Sequence, residues 1–239
     1  MHTKNKTHWF TILILLLVAA SLLWWCFEGG AMLYRLRGWP ESLVELYKRN
    51  PEARDFVKGW SSYTGLQPID LSGDVVPGEI PHFLQWDPRW GYERYGSDFL
   101  AITGCGPTCL AMVYCGLTGE TDQNPCTLAR YTEEQGWYVP GAGTAWTMLT
   151  EGGTSLGLSV RQLALTEGEI GDSLRAGRVL ICSMLPGDFT RAGHFIVLTG
   201  IDAAENVTLL DPNSRQRSER SWPLSTLLSQ MAAAWEYTL

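Results

Sequence analysis

Cys105 stands between two glycines in Gly104-Cys105-Gly106-Pro107-Thr108, ahead of an apolar run through Leu110, Met112 and Val113 to Leu117. The proline and the helical spacing behind it predict a helix from Pro107 with the thiol at its N-terminus. Unpaired N–H groups and the helix dipole favour negative charge there, and the thiolate is the nucleophilic form of cysteine. The chemistry on offer is attack on a carbonyl. The flanking glycines would let a substrate backbone come close. A Gly-Pro turn holding a small buried thiol fits the same five residues, because free cysteine is among the most buried residue types. The rest of the chain has to separate the two.

A nucleophile of this kind needs a base. The chain has 4 histidines, and His2 and His8 belong to the N-terminal tail, which leaves His82 and His194. His194 opens an apolar, strand-like run in Gly193-His194-Phe195-Ile196-Val197-Leu198-Thr199-Gly200. The next turn is centred in residues 202–205, so antiparallel pairing matches residues whose numbers sum to about 407. His194 then lies opposite residue 213, within two positions, where Leu210-Asp211-Pro212-Asn213-Ser214 supplies Asp211 and Asn213. A carboxylate beside an imidazole fixes its tautomer and stabilises the imidazolium. Asp202, at the other end of the hairpin, cannot do this. Singly, His194 fits a capped strand end and Asp211 an Asp-Pro turn. Together with Cys105 they make nucleophile, base and orienter.

The elements that must position these residues follow from pattern. Residues 9–27 carry no charge, with Lys4 and Lys6 before them and Trp9, Trp24 and Trp25 near their ends. That predicts a transmembrane signal anchor over 9–27 with a cytoplasmic tail over 1–8 and the catalytic domain outside the cytoplasm. A cleaved secretory signal is the alternative, although the bulky residues 22–27 offer no small-x-small site. Arg35 and Arg37 balance the two lysines, so sidedness rests on the short basic N-terminus. Residues 28–78 are read as a helical stalk and linker, helical over 41–60 with a break at Pro51 and rich in glycine and proline over 64–78.

Residues 79–239 form the main domain. Its first segment, 80–91, is too dense in proline and aromatics for a regular helix. A second helix is expected over 125–137, a glycine-rich loop over 141–146, and short helices over 146–156 and 169–174. Strands follow over 179–184, 195–199 and 207–210. Helices first and strands afterwards give an α+β fold, a central N-terminal helix packed on an antiparallel sheet.

A formal charge of −7 excludes a nucleic-acid surface, which needs clustered Lys and Arg. Cysteines 105, 109, 115, 126 and 182 lie beyond the apolar span without any C-x-x-C pair, so no metal centre is expected. If Cys105 stays free the other four allow three pairings, though Cys182 fits a buried thiol better. No organic cofactor is called for. Oligomeric state is not legible.

The runs GCGPTCLAMVYCGLTG, QWDPRWGYERYG, GHFIVLTG and DPNS with a Trp-containing tail span Pro81 to Tyr237. In their chain order, with QWDPRWGYERYG ahead of GCGPTCLAMVYCGLTG, they resemble the papain-fold family of stand-alone peptidases related to the double-glycine bacteriocin-leader peptidases. The stretch 41–60 is similar to the lead-in of membrane-anchored Gram-positive bacterial members. The resemblance implies a papain-like cysteine peptidase fold with Cys105 as nucleophile, His194 as base and Asp211 as orienting carboxylate. It also implies Gln85 as the oxyanion-hole amide. Papain-like enzymes usually place that glutamine six residues before the cysteine, where this chain has Phe99. The rim of the cleft is assigned to Gly104, Gly106, Gly143, Thr144, Trp146 and Gly193.

The function expected is cleavage of a peptide or amide bond through an acyl-enzyme, with a peptide or protein substrate. A transpeptidase using the same thiol and a catalytically silent module binding a peptide or cell-wall ligand are the rival readings.

Overall fold

The computed structural model describes residues 3–239, without the side chains at 3–8, 11, 23–30 and 36. The chain divides into two compact units, up to Lys58 and from Gly59 to Leu239. The first is helical. A long helix, α1 (Thr3–Leu36), precedes α2 (Glu41–Arg49), and Pro51 breaks the pattern by opening a 3-10 turn (Pro51–Ala53) ahead of α3 (Arg54–Gly59). In α2 the residues Leu43, Val44 and Leu46 recur at helical spacing and are buried, while Arg35 reaches across to Glu41 and Glu45.

Trp9, Phe10, residues 12–18 and Leu22 of α1 are exposed. Among the described residues no helix is long and apolar enough to cross a membrane, so the anchor expected over 9–27 has no support there. The side chains of Lys4, Lys6, Trp24, Trp25 and Cys26, and the tail residues Met1 and His2, lie outside the described residues.

The second unit begins earlier than the glycine and proline pattern implies. Leu71 is buried and Leu66, Ile69 and Val75 pack on the same core, so this stretch is a strap on the domain rather than a free linker. Segment 80–91 has no regular element, as its prolines require. A short hairpin, β1 (Arg94–Tyr95) and β2 (Asp98–Phe99), leads through α4 (Leu100–Thr103) into α5 (Cys105–Thr118). That helix stops at Gly119, whose φ of 76° is the left-handed conformation glycine adopts without strain. Asn124 caps α6 (Pro125–Glu134) by accepting from the N–H groups of Cys126 and Thr127. The glycine-rich loop is a tight hairpin of β3 (Tyr138–Val139) and β4 (Gly143–Thr144). A π-helical turn (Met148–Gly152) and α7 (Gly153–Ser155) follow.

The main sheet takes β5 (Ser159–Leu163), then β6 (Val179–Met184) after α8 (Glu167–Arg175), then β7 (His194–Ile201) and β8 (Asn206–Leu210). After α9 (Arg215–Ser218) come β9 (Trp222–Pro223), α10 (Leu224–Leu228) and β10 (Met231–Thr238). The six strands lie in the order β5-β10-β6-β7-β8-β9, every neighbour antiparallel. Every residue of β6 is buried, which places it at the centre. Residues of alternate parity face two cores. Ile181, Val197 and Trp235 pack with α5 residues such as Leu110 and Val113, while Leu180, Ile196 and Leu198 pack with Ile170 and Leu174 of α8. The domain is therefore α+β, with α5 on one face of an antiparallel sheet and α8 on the other.

Candidate active site

Cys105 is the first residue of α5, two positions before the proline from which its helix was expected. Pro107 sits inside the first turn, where its missing N–H costs nothing. The N-cap Gly104 has no side chain to bond the free N–H groups of that turn, so they remain directed at the end of the helix that carries the thiol. From Gly106 to Val113 every residue is buried, which fixes the helix in the core. Cys105 alone at its start is partly exposed, whereas Cys109, Cys115, Cys126 and Cys182 are buried, and all five thiols are free.

The two glycines beside Cys105 are themselves buried. A Cβ on Gly106 would lie 2.6 Å from Thr144 Oγ1, and one on Gly104 would lie 2.5 Å from the Leu100 carbonyl. Their lack of a side chain serves internal packing. Thr144 is engaged in the same contact, with its hydroxyl 2.7 Å from that of Tyr95. Of the other residues assigned to the rim, Gly143 is half-buried and Trp146 and Gly193 are exposed.

The β7–β8 hairpin pairs Val197 with Leu210 and Leu198 with Leu209, the register that sets His194 near the 211–213 turn. His194 Nε2 donates to Asp211 Oδ1 at 2.8 Å. A carboxylate only accepts, so that nitrogen carries the proton. The bare Nδ1 of the neutral ring is left for the Cys105 thiol, which is the other side-chain hydrogen-bond partner of His194. Both members of the pair are buried, His194 to 7% and Asp211 to 0% exposure. Burial alone pushes His194 down, but the charge and hydrogen bond of Asp211, followed by those of Cys105, reverse this and raise it above an ordinary imidazole. Burial pushes Asp211 up, and His194 and then Arg217 outweigh it, holding the carboxyl below its ordinary value.

Asp211 is held from all sides. The Asn213 N–H donates to Oδ1 at 2.7 Å and Arg217 Nε to Oδ2 at 2.5 Å. Segment 80–91 binds the backbone of the same turn. His82 Nε2 donates to the Asp211 carbonyl at 2.8 Å, the Gln85 N–H to that of Pro212 at 2.7 Å, and Trp86 Nε1 to that of Asn213 at 3.2 Å. Gln85 is itself buried, and its Nε2 donates to the carbonyl of Ala101, four residues before Cys105, at 2.8 Å. The fold thus brings Gln85 between the approach to the nucleophile helix and the Asp211 turn. Phe99 is buried in an edge contact with Trp60.

A model of the Peptidase_C39 like family matches residues 78–238. The chain belongs to that family. No curated protein matches it in sequence. Similar solved structures include the peptidase domain of Streptococcus ComA, a bifunctional ABC transporter involved in a quorum-sensing pathway. That domain is 17% identical over 57% of this chain and 91% of its own, with a TM-score of 0.42. The peptidase domain of Streptococcus mutans ComA is 18% identical over 52% of this chain and 98% of its own, with a TM-score of 0.38. Membership of a C39-like family supports a cysteine peptidase with a peptide substrate.

Arg217 and the clamping role of His82 are what the sequence reading missed. Arg217 lies among Arg215 and Arg220 in a polar stretch that reads as a solvated surface. A basic residue six positions after an Asp-Pro turn has no signal of its own. For His82 the signal was the density of rigid residues around it, which implied packing without naming the partner. Among the described residues no group of three His, Cys, Asp or Glu side chains is arranged to hold a metal ion.

Proposed function

We propose that this C39-like protein is a cysteine peptidase that cleaves an amide bond through an acyl-enzyme on Cys105. The observation that carries the reading is the fixed tautomer of His194. Asp211 takes Nε2–H at 2.8 Å, so Nδ1 is the basic nitrogen and it is the one available to the Cys105 thiol. His194 Nδ1 takes the thiol proton, and the sulfur attacks the carbonyl carbon of the substrate. The tetrahedral oxyanion is met by the free N–H groups at the start of α5 and by the second hydrogen of Gln85 Nε2, whose first is spent on Ala101. The imidazolium gives its proton to the leaving amine as the C–N bond breaks. Neutral His194 then deprotonates a water that attacks the thioester, and the C–S bond breaks to restore the thiol.

The cleft rim, half-buried Gly143 with exposed Trp146 and Gly193, accommodates an extended peptide. The exposed apolar side chains of α1 support association of the first unit with a membrane, with the lysines of the N-terminus favouring a domain outside the cytoplasm. Retention of the full chain in the membrane fraction after alkaline carbonate washing tests that placement. The catalytic reading is tested by trapping. Incubation with a peptide-library aldehyde or epoxide should modify Cys105 in the full chain and fail to do so in His194→Ala. Equal modification of both proteins would refute it.

A further inference from the structure

We propose that Arg217 is a positioning residue of this site, holding the second oxygen of Asp211 and supplying the counter-charge that keeps this buried carboxylate ionised while His194 is neutral. The proposal rests on the cysteine peptidase reading, because it concerns the half of that cycle in which His194 has given up its proton.

The geometry is specific. Asp211 has no exposed surface, and its two oxygens are divided between partners. Oδ1 accepts from His194 Nε2 and from the Asn213 N–H, while Oδ2 accepts from Arg217 Nε. When His194 is protonated, its charge balances Asp211. Once it protonates the leaving amine, that balance is gone, and a lone buried carboxylate costs several kcal/mol or takes up a proton. A protonated Asp211 has lost its negative charge and can no longer stabilise the imidazolium of the next turnover. Arg217 is the cation that remains in place.

Arg217 is built to stay there. Its N–H donates to Ser214 Oγ, its carbonyl accepts from Trp222 Nε1 at 3.0 Å, and its guanidinium carbon lies 6.0 Å from the ring centre of Phe189. Phe189 belongs to the loop that leads into His194, so one side chain touches both the acid and the approach to the base. Cys105 and Cys109 of α5 also bear on this pair and, at the Asp211 carbonyl, His82 does so. Arg217 is the permanent cation among them.

The experiment follows the His194 imidazole by NMR across pH in the full chain carrying Cys105→Ala, which removes the coupled thiol. Arg217→Gln takes away a positive charge while the Asn213 N–H still holds Oδ1, so the His194 midpoint should rise by about one pH unit. Arg217→Lys keeps the charge and should leave the midpoint within a few tenths of a unit. An unmoved or lowered midpoint in Arg217→Gln, or the same shift in both variants, overturns the proposal. A control for folding uses the acid itself. Asp211→Asn sets an amide N–H against a donor, and adding Arg217→Gln supplies an acceptor, so the double variant should unfold at a higher temperature than Asp211→Asn alone. A double variant no more stable than the single one also counts against the pairing. The parent reading fails separately, if Cys105 of the otherwise unaltered chain is not alkylated by iodoacetamide in a His194-dependent way.

Discussion

His82 Nε2 donates to the main-chain carbonyl of Asp211 at 2.8 Å, so the second histidine of the domain binds the backbone of the residue whose side chain binds the first. A carbonyl oxygen cannot donate, which makes His82 Nε2 the protonated nitrogen. It fastens the orienting turn and takes no part in proton transfer. His82→Ala leaves that buried carbonyl without its partner, at a cost of about 1–3 kcal/mol. We expect a lower unfolding temperature and roughly tenfold slower turnover from a loosened Asp211, with His82→Gln, which retains a donor, recovering part of both. Turnover at the unaltered rate in His82→Ala would show that the turn is held without it.

The five thiols of the second unit should separate by accessibility. Cys105 is partly exposed, whereas Cys109, Cys115, Cys126 and Cys182 are buried. Burial pushes Cys115 up to about 12 and raises Cys109, Cys126 and Cys182 as well. Brief iodoacetamide treatment of the folded chain should therefore label Cys105 in preference to these four, and mass spectrometry would locate the adduct. Labelling of Cys126 or Cys182 at a comparable rate would mean that the core opens.

Gln85→Ala removes the side-chain donor assigned to the oxyanion. A loss of about a hundredfold or more in kcat is expected for such a donor. The Ala101 carbonyl also loses its partner, so thermal unfolding must be measured beside activity. Among the described residues Gln85 Oε1 has no hydrogen-bond donor, so the carbonyl half of the amide adds no contact that holds the fold. A variant as active as the unaltered chain would return the oxyanion site to backbone N–H groups alone.

The hairpin register was legible from counting alone. One turn centre gave a pairing sum, and Val197 with Leu210 obeys it. The helix that Cys105 opens was legible because a proline ahead of an apolar run at helical spacing marks a helix start. Strand β10 was not. Its Ala-Ala-Ala run favours helix, and it is a strand because it fills the space between β5 and β6, with Trp235 in the core. The edge strand β5 carries mostly exposed polar residues, so no buried alternation announces it. Gly104 and Gly106 looked like room for a substrate. Only the fold shows that Leu100 and Thr144 stand where a Cβ on either glycine would go. Contacts between segments far apart in sequence, such as His82 with Asp211, leave no periodicity to read.

The opposite shifts of His194 and Asp211 set a window of stability. His194 is raised, so its contribution is complete below the free imidazole value of about 6.5 and is lost as pH rises through its folded value. Asp211 is lowered, so its contribution is complete above the free carboxyl value of about 3.9 and is lost as pH falls through its folded value. Unfolding temperature against pH should show a plateau between those limits and fall on either side. Asp211→Asn removes both the charge that raises His194 and the carboxyl that titrates on the acid side, and should flatten both limbs. Limbs unchanged in that variant would place the titrating groups elsewhere.

Gly106→Ala sets two effects of known size against each other. In an unhindered helix the change would stabilise by about 1 kcal/mol, because alanine restricts the unfolded chain and glycine does not. Here the new methyl would lie 2.6 Å from Thr144 Oγ1, 2.7 Å from its Cβ and 2.8 Å from its Cγ2. Rotating the threonine cannot clear its Cβ, and the hairpin carrying it would have to move away from α5. Overpacking of that kind costs about 1–3 kcal/mol, so the clash should win and the unfolding temperature should fall. The displaced hairpin also carries Gly143 and leads to Trp146, so turnover should fall with stability. Thr144→Gly removes the obstructing atoms at the expense of the Tyr95 hydrogen bond, and in the Gly106→Ala background it should restore activity more than it restores stability. If Gly106→Ala instead raises the unfolding temperature and leaves turnover intact, the hairpin yields freely and the glycine is not required for packing.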